Sequence, residues 1–350
     1  MIKYYDYAAS TPVVDAVLDA MRPWQSESFA NPSAAHAEAE KATKAIQQAR
    51  DAIADKIGAM PSEIIFTSGA SESNNLAIKG VAFKHLEDKG HIITSSIEHK
   101  CILNTCGFLE DIGFEVTYLG PDRDGIISAE SVANAIQPNT LLISIHHVNN
   151  ELGCVQPIAD IGDVAFDNNI PFHTDAAQSF CKLDIDVDDM NIDMLSLSGH
   201  KIYGPKGIGA LYVRDARDAD LVPLIHGGGQ ELGIRGGTSP TPLIVGLGAA
   251  VEHFPTEISA QQDEFEKIIS SYQYSRNGGN NLVTTTWNIT FRDDDEVKRF
   301  LKEQSWLISQ GSACNALSNV ASHVLLAIGM SEESARRTYR ISLPPYHVKG

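Results

Sequence analysis

Ser196-Leu197-Ser198-Gly199-His200-Lys201-Ile202-Tyr203-Gly204-Pro205-Lys206-Gly207 is the stretch on which the reading of this 350-residue chain turns. An apolar run, Met194-Leu195-Ser196-Leu197, leads into it, and a second, Ala210-Leu211-Tyr212-Val213, leaves it. Both have the length and continuity of strands buried on both faces. Upstream, Pro171-Phe172-His173-Thr174 reads as another strand and runs directly into Asp175-Ala176-Ala177-Gln178. Further strands are expected at Ile64-Ile65-Phe66-Thr67, His91-Ile92-Ile93-Thr94, Phe114-Glu115-Val116-Thr117-Tyr118 and Leu141-Leu142-Ile143-Ser144-Ile145. Helical stretches separate most of them. Residues 35–57 place Ala42, Ile46, Ala49, Ile53 and Ile57 at helical spacing, with Gly58 and Pro61 marking the stop. This alternation predicts an α/β fold, a mostly parallel sheet covered by helices on both faces.

The pattern changes after about residue 250. Residues 261–272 read as a helix, Asn277-Gly278-Gly279-Asn280-Asn281 as a break, and Thr284 to Phe291 as a strand. We therefore expect a large domain over residues 12–250. A small α+β domain is expected from residues 1–11 and 251–350.

Ligands of such sheets sit beyond the strand C-termini. His99, Asn150, Asp175 and Ser198 each follow an apparent strand. Ser68-Gly69-Ala70-Ser71 is a strand-to-helix turn of small residues, where free N–H groups and the helix dipole favour an anion. A lysine amine that can condense with an aldehyde, and an acid that can keep a pyridine nitrogen protonated, are what pyridoxal 5'-phosphate (PLP) chemistry needs. Lys201 and Asp175 suit those two roles. Ala70, Ser71, Ser198 and His200 suit the cofactor phosphate. Each alone has a plainer explanation: a solvated lysine in a glycine-rich loop, an aspartate or histidine capping a helix. The combination is far more specific. Gly207-Ile208-Gly209 lacks the third glycine of a dinucleotide loop, and Gly204-Pro205-Lys206-Gly207 does not continue as a P-loop.

Composition narrows the classes. Hydrophobic residues are 43% and charged residues 21%, ordinary for a globular protein. No apolar run has membrane-spanning length and the N-terminus is no signal peptide, so a cytoplasmic protein is expected. With 27 basic and 45 acidic residues the net charge is −18, which argues against direct nucleic-acid binding and for basic protein partners. The five cysteines, Cys101, Cys106, Cys154, Cys181 and Cys314, show no CxxC or Cys/His metal spacing. His146 and His147 are adjacent on an apparent strand and point to opposite faces, so no metal site is expected. Cys314 stands apart. It lies among small and polar residues, Gln310 to Asn319, that favour a solvated, mobile loop, while the other four sit in element-forming surroundings as structural thiols.

The chain resembles the cysteine desulfurases, in the class-V aminotransferase family of fold-type-I PLP enzymes. The resemblance runs from Tyr5-Asp6-Tyr7 to Arg340-Ile341-Ser342-Leu343. It is densest in Thr67 to Leu76, Glu98-His99-Lys100, His147 to Glu151, Ser198 to Gly209 and Gly311-Ser312-Ala313-Cys314. It implies that Cys314 is the nucleophile, a thiolate that attacks the sulfur of L-cysteine and becomes a persulfide while L-alanine leaves. It implies that His99 stacks on the cofactor ring and moves a proton, and that Asn150 and Gln178 hydrogen-bond the cofactor, with Asn150 also near the substrate. Arg340 would take the substrate carboxylate, and Arg336 and Arg337 are expected to face solvent. Thr238 would reach the phosphate of the other subunit, which implies a homodimer. Ser71 stands where a threonine is common and keeps the hydroxyl. The chain also ends ten residues after Arg340, and its segment from about 255 to 285 is short compared with relatives. The long form of the Cys314 loop resembles the group whose mobile loops hand sulfur directly to an acceptor protein. Compact members of it serve DNA phosphorothioation. Iron–sulfur assembly, tRNA thiolation, a selenocysteine lyase or other class-V PLP enzyme, and a non-catalytic interaction subunit remain as alternatives.

Overall fold

The computed structural model describes residues 3–255, 261–310 and 321–344. The strands are β1 (Lys3–Tyr4), β2 (Ile64–Thr67), β3 (His91–Ser95), β4 (Glu115–Leu119), β5 (Thr140–Ser144) and β6 (Phe172–Asp175). They continue as β7 (Met194–Ser198), β8 (Gly209–Val213), β9 (Tyr274–Arg276), β10 (Thr286–Phe291), β11 (Trp306–Leu307) and β12 (Thr338–Ser342). Seven form the main sheet, in the order β2-β8-β7-β6-β5-β3-β4. Only β8 opposes its neighbours; the other pairs that join β7, β6, β5, β3 and β4 are parallel.

Strand residues alternate between two apolar layers because successive side chains leave a strand on opposite faces. Phe66, Ile93, Ile143 and Leu195 pack on one side with Ile46, Ile53 and Ile57 of the helix Ala37–Ile57 and Ile244 of the helix Thr241–Glu252. Ile65, Ile92, Leu142 and Met194 pack on the other with Leu76 and Ile102 of the helices Ala70–Ala82 and Lys100–Asp111. Helix Ala37–Ile57 starts two residues later than its apolar spacing suggests, because the His36 ring caps it by accepting from the Ala39 N–H at 3.2 Å. It ends on Gly58 at φ 71°, a left-handed stop that glycine adopts freely.

A second core is aromatic. Tyr5, Phe265, Phe291 and Phe300 cluster with Ile289 and Ile341 under the antiparallel sheet β12-β10-β9. The expected strand over 284–291 begins at Thr286, and the helix expected to reach 272 ends at Ile269. No helix among the described residues is long and apolar enough to cross a membrane.

Candidate active site

A cavity of about 520 Å³ opens at the C-terminal ends of the parallel strands. Asp175 is the last residue of β6 and Ser198 the last of β7. The turn after β2 delivers Ser68, Gly69, Ala70 and Ser71 to the N-terminus of helix Ala70–Ala82, and the turn after β3 delivers His99. All of these line the cavity, together with Asn150, Gln178, His200, Lys201 and Arg340. Gly69 has φ 146°, a conformation that a side chain would strain. Gly209 opens β8 directly behind it: an added Cβ would lie 2.7 Å from the Gly69 Cα and 2.4 Å from the Leu197 carbonyl oxygen. Gly209 therefore lets β8 pass close behind the turn Ser68-Gly69-Ala70-Ser71.

Lys201 donates to the carbonyls of Ala8, at 2.5 Å, and Ala9, at 2.9 Å. Burial, with the Arg340 charge next in weight, pushes its ammonium down to about 7. The amine is thus available unprotonated near neutrality. Asp175 accepts from the Asn74 amide at 2.7 Å and from the Ala177 N–H at 2.9 Å. His99 caps helix Lys100–Asp111 and lines the cavity at once; burial keeps its ring below the usual imidazole range, reinforced by Lys201 and opposed by Asp175. His200 is pushed down to about 4 by burial and then by Lys201, Lys206 and Lys182, so it is a neutral ligand. The Gln178 amide donates to the Ala8 carbonyl at 2.9 Å.

Arg340 is 2% exposed. Its guanidinium donates to the Asn150 carbonyl at 2.9 Å and to Asp6 at 2.7 Å, and its Nε has no protein partner. Arg336 lies in solvent, whereas Arg337 does not face solvent as its register suggests. Its side chain is 19% exposed and donates to the Arg292 carbonyl, because β12 brings it back against β10.

Cys314 lies outside the described residues. The chain leaves the described part after Ser309 and Gln310, and Ser309 exchanges both backbone hydrogen bonds with Arg340. It returns at Ala321 and Ser322, where the Ser322 hydroxyl donates to Glu151 at 2.5 Å. Thr238 is exposed and is not among the residues that line this cavity.

The chain matches the model of the class-V aminotransferases over residues 3–349. The chain belongs to that family. It is 44% identical to the mitosomal cysteine desulfurase of Trachipleistophora hominis, over 97% of this chain and 81% of that one. It is also 44% identical to the cysteine desulfurase IscS of Rickettsia rickettsii (strain Iowa), over 97% of this chain and 86% of the relative. A solved structure, SspA in complex with cysteine, matches with a TM-score of 0.97 and 78% identity, over 99% of this chain and all of that one. This is a cysteine desulfurase with the fold-type-I architecture and PLP as its cofactor. The donor set fits that cofactor: a near-neutral amine, a buried carboxylate, and a helix N-terminus with two hydroxyls share one cavity.

Four residues of this desulfurase's cavity carried no separate signal in the sequence. Asn74 is fully buried and its side-chain oxygen has no partner. Cys101, expected to be a structural thiol, lines the cavity, because a cap at His99 turns the first residues of its helix inward. Glu72 receives Arg235 at 2.8 Å, and His146 lines the wall, paired at 2.8 Å with the buried Glu98.

Proposed function

We propose that this cavity holds L-cysteine beside PLP and that its sulfur leaves as a persulfide on Cys314, for delivery to an acceptor protein. The observation that carries the reading is Lys201, whose buried amine is tuned to about 7 in the same cavity as Asp175, His99 and Arg340. When bound, PLP supplies an aldehyde and an electron sink. Lys201 would hold it covalently, and Asp175 would keep its ring nitrogen protonated. Ala70, Ser71, Ser198 and His200 would receive its phosphate, with Thr238 contributed by a second subunit. Gln178 and Asn150 would hold the ring hydroxyl, and Asn150 would also meet the substrate.

Arg340 would bind the substrate carboxylate through the planar fork of its guanidinium, since the residue lines the cavity. His99 would move the proton that turns the product carbon into a methyl group, and Cys314 would attack sulfur as the thiolate. The cysteine-bound SspA match supports the substrate. We take residues 12–250 as one domain and residues 1–11 with 251–350 as the other, and the protein as a cytoplasmic homodimer. For the destination of the sulfur we favour DNA phosphorothioation, which members of the group that the Cys314 loop resembles serve; the 78% identity to SspA supports this reading. The similarity to IscS favours iron–sulfur assembly as a second reading.

Labelled cysteine and peptide mass mapping test the chemistry: label on Cys314 is expected, and label on the other cysteines alone overturns it. Deleting the gene and measuring phosphorothioate dinucleotides in digested DNA tests the pathway. Their loss is expected, and unchanged levels overturn it.

A further inference from the structure

Asn74 and Cys101 join the two sides of the cavity. The Asn74 amide nitrogen donates to Asp175 Oδ2 at 2.7 Å and also reaches Cys101 Sγ at 3.3 Å. Cys101 Sγ in turn lies 3.0 Å from His99 Nδ1. The directions of these bonds follow from chemistry. A carboxylate only accepts, so the Asn74 nitrogen, not its oxygen, faces Asp175 and the sulfur. The backbone N–H of Cys101 donates to His99 Nδ1 at 3.2 Å, so that nitrogen carries a lone pair. The thiol therefore accepts from Asn74, and towards His99 it can only donate, sharing the Nδ1 lone pair with the backbone N–H of its own residue. The Ser71 side chain also hydrogen-bonds to the sulfur. With Nδ1 committed as an acceptor, a neutral His99 carries its proton on Nε2.

We propose that Asn74 and Cys101 are positioning residues for the desulfurase reaction: they link Asp175 to His99 in one hydrogen-bonded chain and hold His99 in the Nε2–H tautomer. The inference rests on the roles proposed above for Asp175 and His99. Cys101 is suited to the task because it stays a thiol. Burial, and after it the Asp175 charge, pushes it up to about 12, so it keeps the proton it donates. The same property removes it as a rival to Cys314, since the thiolate is the nucleophile. His99 also feels Asp175 from β6, Lys201 from the turn after β7, the adjacent Glu98, and His323 from the helix His323–Ala327. A change at Cys101 removes none of these, so the effect of the thiol can be read against a constant background.

Nitrogen-15 NMR of the holoenzyme, labelled at histidine, gives the test. In the wild type, His99 is expected as the Nε2–H tautomer; a proton on Nδ1 overturns the proposal with no variant needed. A donor to the neutral ring stabilises that form. Cys101→Ala is therefore expected to raise the His99 midpoint by about half a pH unit and to move the acidic limb of the kcat/KM profile with it. Cys101→Ser, which keeps a donor at the same place, is expected to restore both. Unchanged nitrogen shifts in Cys101→Ala, or a serine variant that behaves like alanine, overturn the proposal. The His99 role is tested separately by His99→Ala. Full activity there, with the Cys101 shifts as expected, removes the proposed proton transfer and leaves the tautomer assignment standing.

Discussion

At Lys201, in the role proposed for it, a single amine would decide whether the cofactor is captured. Burial is the largest cause of its low value, and Arg340 adds to it, so the ammonium gives up its proton near 7 rather than near 10. Condensation with an aldehyde needs the free amine. Uptake of PLP by the apoprotein should be slow below pH 7, rise through it and level off above, as followed by the absorbance of the bound cofactor. A rise delayed to pH 9 or beyond contradicts the environment seen here. Arg340→Ala removes a neighbouring positive charge, so the Lys201 midpoint should move up. The same variant should still bind PLP yet lose cysteine affinity, by about 2–5 kcal/mol for one partner of a charged contact. Unchanged affinity and turnover would place the carboxylate elsewhere. Lys201 and Arg340 could be picked out in the sequence because the chemistry of an amine and of a guanidinium suits a named role within the resemblance, and both line the cavity. Asn74 and Cys101 could not, because their contacts cross from one helix to another and to the end of β6, and no local spacing encodes them.

Among the elements, the turn between β2 and helix Ala70–Ala82 does the most with the fewest atoms. Its residues Ser68, Gly69, Ala70 and Ser71 line the cavity, with Gly69 at φ 146° and β8 crossing behind it at Gly209. Gly209→Ala would place a methyl carbon against the Leu197 carbonyl and the Gly69 backbone. Overpacking of this kind costs about 1–3 kcal/mol. Since Gly69 is part of the turn proposed to receive the cofactor phosphate, PLP affinity should fall along with thermal stability. A variant that loses stability but keeps wild-type PLP affinity would show that the turn does not depend on β8. The strands of the main sheet could be read from the chain because each is a short apolar run that serves both layers. The antiparallel direction of β8 could not, since a run buried on both faces looks the same in either direction. The end of helix Gln261–Ile269 was misplaced because Tyr272 continues its apolar spacing while belonging to the aromatic cluster beyond it.

Across the whole molecule, the loop that follows β8 decides whether one chain is enough. Glu231 receives both terminal nitrogens of Arg50 at 3.0 Å and the Phe66 N–H at 2.9 Å, which pins the loop to β2. Arg235 is pinned in the same way to Glu72, at the cavity wall. Gly227 and Gly236 pack backbone to backbone, so close that a Cβ on Gly236 would sit 2.6 Å from the Gly227 nitrogen. A loop held this firmly is preorganised, yet it presents Thr238 to solvent instead of to its own cavity. The second subunit proposed above, by receiving the hydroxyl, would account for that arrangement. The protein should therefore sediment as a dimer at micromolar concentration. Complementation separates a shared site from a mere association. Lys201→Ala chains lack the anchoring amine, and Thr238→Ala chains lack the hydroxyl. In a mixed dimer, the Lys201 of the Thr238→Ala chain meets the intact Thr238 of its partner. That site should bind PLP with wild-type affinity, whereas the Thr238→Ala homodimer should bind it more weakly. A mixed dimer no better than the Thr238→Ala homodimer would mean that Thr238 does not act across the interface, and a fully active monomer would remove the need for one.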